Sequence, residues 1–145
     1  MLVAVILTFR SILHILLQEV KKMAEPNFVT GGYSTIDMII LHWLSQKDCY
    51  VYEISKLTIV HSDGKLPTSQ SSVYTAAYKL EKNHYVSEYS KLVGKKRTRV
   101  YYHIEDAGRA YLDKMIPQYH SDHEGVVLVL NTKLDVKETE EDENE

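Results

Sequence analysis

YVSEYSKLVGKKRTRVYYHI, residues 85–104, is the stretch on which the fold turns. Residues 85–89 and 99–104 are rich in tyrosine and β-branched side chains, and residues 91–98 between them contain Gly94. Two β-prone runs around a glycine-bearing loop predict an antiparallel hairpin. Its tip is basic: Lys91, Lys95, Lys96, Arg97 and Arg99 crowd together beside a single acid, Glu88.

Working back from the hairpin, residues 69–83 read as a helix whose inner stripe is Val73, Ala76, Ala77 and Leu80, halted at Asn83-His84. Ser62, Asp63, Gly64 and Pro67 mark a turn before it. Residues 51–60 form a helix on Val51, Ile54 and Leu57, preceded by a short turn at residues 47–50. Residues 35–46 form another, with Ser34 or Thr35 as N-cap and Met38, Ile39, Leu41 and Leu44 at helical spacing. Residues 27–34, with Gly31 and Gly32, read as a flexible lead-in.

Working forward, Glu105 and Asp106 place negative charge where the next helix starts, as its dipole favours. That helix carries Ala107, Tyr111, Leu112, Met115, Ile116 and Tyr119 on its apolar side, and Pro117 is expected to kink or divide it. Residues 126–130 are wholly apolar and fit strand or buried helix equally. The acidic end of the chain is expected to be disordered.

The 145 residues, 44% hydrophobic and 26% charged, suit one domain with a packed core. The net charge of −3 hides an asymmetry. Residues 135–145 hold seven acids against Lys137, or −6, so −3 less −6 leaves +3 on the rest. Local charge, rather than the total, governs attraction to phosphate. A lone cysteine, Cys49, excludes an internal disulfide or a multi-cysteine zinc site and suits a reducing compartment, here the cytoplasm.

Residues 1–17 are strongly apolar. They lack the basic stretch that opens a signal peptide, and Arg10 interrupts a membrane span. An amphipathic helix packed in a dimer is one reading. Another begins from residues 18–23, QEVKKM, which back-translate as CAG GAG GTN AAR AAR ATG. That contains AGGAGGT, a bacterial ribosome-binding sequence, so translation is expected to start at Met23 with residues 1–22 as translated leader.

Helices, a hairpin with a basic tip and a long closing helix follow the order of a winged helix-turn-helix, in a mainly α (α+β) chain. The marks run further: Asp37-Met38-Ile39-Ile40-Leu41, Tyr52-Glu53-Ile54, Val73-Tyr74, Leu80-Glu81-Lys82, Arg99 to Ile104, and Gly108. In that order and spacing the chain resembles the PadR family of bacterial transcription regulators over residues 37–115. It departs at Val51, Thr75 and Glu105, where the family often has glycine, proline and threonine. The resemblance implies a homodimer joined through the C-terminal helix, bound to inverted-repeat operators in double-stranded DNA. It also implies repression, in some members relieved by a small aromatic or hydrophobic effector. The expected organisation is a leader and lead-in over 1–34, a winged helix-turn-helix over 35–104, a dimerisation segment over 105–132 and an acidic tail over 133–145.

The helix over 69–83 is then the expected DNA reader. Gln70, Ser71 and Ser72 stand at its N-terminus, where free N–H groups and the dipole favour phosphate, with Tyr74, Thr75, Tyr78 and Lys79 beyond them. Ser69 fits a cap and Tyr74 fits either core or contact. The cations Lys91, Lys95, Lys96, Arg97 and Arg99 would ordinarily be a solvated loop. After a helix-turn-helix they suit phosphate or the minor groove. Tyr111, Leu112, Met115, Ile116, Tyr119, Val127 and Leu130 are the expected dimer contacts. Trp43 fits core or dimer interface before a ligand platform.

His120-Ser121-Asp122-His123 fits a polar helix end better than a metal site, because ligands so close cannot all face one ion from one helix. No G-x-S-x-G, phosphate-binding loop or H-E-x-x-H is present, so neither catalytic residues nor a cofactor are expected. The competing function is a winged-helix protein-interaction module that docks through the acidic tail or the N-terminal apolar segment. The basic wing argues against it.

Overall fold

The computed structural model describes residues 2–23 and 33–135. Most of the expected lead-in over 27–34 and of the acidic tail over 133–145 therefore lies outside the described residues. The elements are α1 (Leu2–Met23), α2 (Thr35–Gln46), α3 (Val51–His61), α4 (Gln70–Lys82), β1 (Val86–Val93), β2 (Arg97–Ile104) and α5 (Asp106–Asn131).

α2, α3 and α4 bury one another's apolar stripes. α2 turns Asp37, Ile40, Leu41 and Leu44 inward, which is strict i, i+3, i+4, i+7 spacing. Met38 and Ile39, expected on that stripe, are half-buried and line a groove towards α3 and α5 instead. α4 contributes Val73, Ala76, Ala77 and Leu80, and its two alanines let its backbone come close to its neighbours. Ile54 of α3, Cys49, Val86, Tyr102, Ile104, Leu112 and Met115 complete the core.

The hairpin is longer than the sequence suggests. β1 and β2 pair antiparallel from Val86 opposite Ile104 to Val93 opposite Arg97. Only residues 94–96 remain for the turn, which Gly94 makes with φ of +69°. Lys91 and Arg99, expected in or at the edge of the tip loop, face each other in the ladder. The alternation of Leu92, Thr98 and Val100 with these cations sustains the two-residue period through the charged stretch. Residues 47–50 are more than a turn, because Cys49 bridges Tyr102 and adds a third contact to the sheet.

α5 runs unbroken through Pro117. Pro117 lacks the N–H that would reach the Asp113 carbonyl, yet the helix neither ends nor restarts there. Residues 126–130 belong to its last turns and are helical. In α1, Val5, Phe9, Ile12, Leu13 and Leu16 are exposed. No helix among the described residues is long and apolar enough to cross a membrane.

Candidate nucleic-acid interface

α4 begins with a side-chain cap. Ser69 has extended backbone geometry, and its Oγ accepts the Ser72 N–H at 3.1 Å. The Ser72 and Ser71 hydroxyls lie 2.8 and 3.2 Å from the same oxygen. Three hydroxyls thus gather over the positive end of the helix, leaving Gln70 exposed beside them.

The outer stripe of α4 runs from Gln70 and Ser71 through Tyr74 and Thr75 to Tyr78. Tyr74 is 52% exposed, which removes it from the core. Thr75 Oγ1 donates to the Ser71 carbonyl at 2.9 Å, so its hydroxyl proton is already used within the helix. Lys82 Nζ sits 5.2 Å from the centre of the half-buried Tyr78 ring. Lys79 behaves differently from the rest. Its side chain is half-exposed, but its ammonium is paired with the buried Asp37, 2.6 Å away.

The ladder places Tyr89, Lys91, Arg97, Arg99, Tyr101 and His103 on one face of the wing, with Lys95 and Lys96 at the turn. Opposed like charges at Lys91 and Arg99 would repel. Aromatic faces offset this, since Arg99 Cζ lies 4.2 Å over the Tyr50 ring and Lys91 Nζ 5.7 Å over Tyr101. Tyr89 and Tyr101 stack at 5.6 Å. Tyr89 Oη donates to Asp48 Oδ2 at 2.8 Å, and His103 Nδ1 lies 2.7 Å from Asp48 Oδ1. Partial burial pushes the Asp48 carboxyl up, but the bonds from His103 and Tyr89 outweigh it and hold the group below the ordinary carboxylate range.

Asp48 and Tyr50 are the residues that sequence reading missed at this site. They sit in an apparent turn far from the wing in sequence, and only the Cys49–Tyr102 bridge brings them to it. The cationic set is thereby divided. Lys95, Lys96 and Arg97 lie at or beside the tip, whereas Lys91 and Arg99 belong to an aromatic ladder anchored on the body of the domain.

The residues expected at a dimer contact also divide. Leu112 and Met115 are buried in this chain's own core, at 5% and 0% exposure, and are not available to a second copy. Tyr111 packs between Tyr85, stacked at 4.4 Å, and the edge of Tyr33 at 5.5 Å. Ile116 is half-buried, while Tyr119, Val127, Leu128, Val129 and Leu130 are exposed. Trp43 is half-buried, and its Nε1 donates to Thr58 Oγ1 at 3.0 Å. With Met38, His42, His61, Ile116 and Tyr119 it lines an open groove of about 500 Å³. Among the described residues no group of three or more His, Cys, Asp or Glu side chains is placed to hold a metal ion.

Residues 40–114 match the transcriptional regulator PadR-like family. An uncharacterised protein of Lysinibacillus sphaericus is 30% identical over 97 residues, covering 67% of this chain and 86% of that one. A transcriptional regulator from Clostridium thermocellum is similar in structure, with 31% identity and a TM-score of 0.58 over 68% of this chain and 90% of the other. Bacillus subtilis PadR in complex with operator DNA shares the fold, at 21% identity and a TM-score of 0.52 over 56% of this chain and 46% of that one.

Proposed function

This chain belongs to the transcriptional regulator PadR-like family, and we propose that it is a cytoplasmic, sequence-specific DNA-binding repressor that acts as a homodimer on inverted-repeat operators. One combination carries this reading: an exposed polar N-terminus on α4, and after that helix a wing whose cations share one face and its tip. In such an arrangement a helix end enters the major groove and a wing holds the backbone. Gln70, Ser71, Ser72, Tyr74, Thr75 and Tyr78 form the reading stripe. Lys95, Lys96 and Arg97 supply contacts to phosphate.

Dimerisation falls to the second half of α5. Val127, Leu128, Val129 and Leu130 are all exposed and apolar there, and that much apolar surface favours a cover. A small aromatic or hydrophobic effector is proposed for the groove beside Trp43, whose walls come from α2, α3 and α5. An occupant there would press on α5, and so on the spacing of two reading helices.

A gel shift with the DNA upstream of the chain's own gene, repeated at rising salt, tests the reading. A retarded complex that weakens steeply with salt and outlasts random competitor is expected. A chain that binds no duplex at low salt would instead be a protein-interaction module.

A further inference from the structure

Lys79 is the last of the α4 residues expected to meet DNA, but its ammonium is paired within the protein. Nζ is 2.6 Å from Asp37 Oδ2, with Asp37 2% exposed and Lys79 46% exposed. Asp37 is in the first turn of α2. Its second oxygen, Oδ1, is buried without a hydrogen-bond partner among the described residues. Lys79 and the Ser34 side chain favour the ionised carboxylate, and burial followed by the Asp37 charge pushes up the Tyr111 phenol of α5. Tyr111 in turn stacks on Tyr85, just past the end of α4. Asp37 therefore stands where α2, α4 and α5 meet.

The rest of the α4 contact is apolar, and Val73, Ala76, Ala77 and Leu80 attract without direction. An ion pair does have direction. Lys79 is nine residues past Gln70, about 14 Å along the helix axis, so a small roll at Lys79 moves the reading residues with it.

We propose that the Asp37–Lys79 pair is a positioning device for α4, setting the roll at which Gln70, Ser71 and Tyr74 face the major groove while neither partner touches DNA. The proposal rests on α4 being the DNA reader. The energetics fit placement rather than strength. Burial pushes the Asp37 carboxyl above its ordinary range despite the opposing pull of Lys79 and Ser34, so the ionised pair returns less than its desolvation costs.

The test compares wild type with Asp37→Asn, Lys79→Met, the double variant and Lys79→Arg. Each is titrated with a duplex from upstream of its own gene and with a random duplex of equal length, at several salt concentrations. Amide exchange along α4 is followed in the free protein. Asp37→Asn should fold with little change in melting temperature, Lys79→Met should melt lower because it leaves the buried Asp37 carboxylate without its cation, and both should exchange faster along α4. Each should lose about ten-fold in the ratio of specific to random affinity, the size of one lost base contact. The salt slope should stay as in wild type, the double variant should be no worse than either single, and Lys79→Arg should restore the ratio. If Lys79→Met instead flattens the slope by about 0.9 and weakens both duplexes equally, Lys79 is a phosphate contact and the proposal fails. An unchanged ratio also overturns it. If wild type binds neither duplex, the DNA reading has failed, and exchange decides alone: unaltered protection of α4 overturns the positioning role, and faster exchange upholds it.

Discussion

Gly108 lies so close to Tyr85 that a Cβ added to it would overlap the Tyr85 carbonyl oxygen and come within 2.9 Å of Ile104 Cγ1. That carbonyl already accepts the Glu105 N–H at 3.0 Å, so it cannot retreat without breaking the bond that closes the base of the wing. α5 therefore rests directly on the end of the hairpin. Gly108→Ala should destabilise the chain by about 1–3 kcal/mol, the usual cost of overpacking, with a lower midpoint in urea as the readout. An unchanged midpoint would mean that α5 does not rest there.

Cys49 is fully buried, and burial pushes its thiol up to about 11. The thiolate is the reactive form, so native protein at about pH 8 should label very slowly with a disulfide reagent. Labelling should speed up in denaturant along the unfolding transition. Rapid labelling of native protein would contradict the Cys49–Tyr102 bridge that holds the wing.

Asp37 makes stability depend on pH in an uncommon direction for a carboxylate. Its folded value is raised, desolvation being the main cause, so the folded chain holds the proton more tightly than the unfolded one. The resulting stability is fully present below the ordinary carboxylate range and is lost as pH rises through the raised value. Wild type should therefore gain on Asp37→Asn as pH falls through that window, measured by urea unfolding at each pH. A relative loss on acidification would mean that the attraction of Lys79 exceeds the burial cost.

The wing cations should separate by kind. Lys95→Ala or Lys96→Ala should weaken specific and random duplexes alike and flatten the salt slope by about 0.9, leaving hairpin amide exchange unchanged. Arg99→Gln removes the guanidinium from Tyr50 and leaves the tip intact, so it should speed exchange of β1 and β2 in the free protein. Equal effects of all three on exchange would refute the division between tip and ladder.

What could be read from the sequence follows the range of the signal. The sequence predicts α4 over residues 69–83 and it spans Gln70–Lys82, because a serine cap, an alanine stripe and an asparagine stop are all local. The wing is longer than the sequence predicts because Lys91 and Arg99 look like loop residues until each is placed opposite the other. Leu112 and Met115 read as dimer contacts because an apolar face does not declare which chain covers it. Helical spacing puts Lys79 on the outer side, and its ion pair is not legible there because Asp37 lies two helices earlier.

The reading of DNA by α4 is tested most directly with Gln70→Ala, titrated against the upstream and random duplexes at several salt concentrations. Gln70 is exposed at the mouth of a rigid, capped helix, so its loss should cost about 1–3 kcal/mol on the upstream duplex. The random duplex and the salt slope should stay as in wild type. A ratio of specific to random affinity that does not move, for Gln70→Ala and for Tyr74→Ala alike, would show that α4 is not the reader.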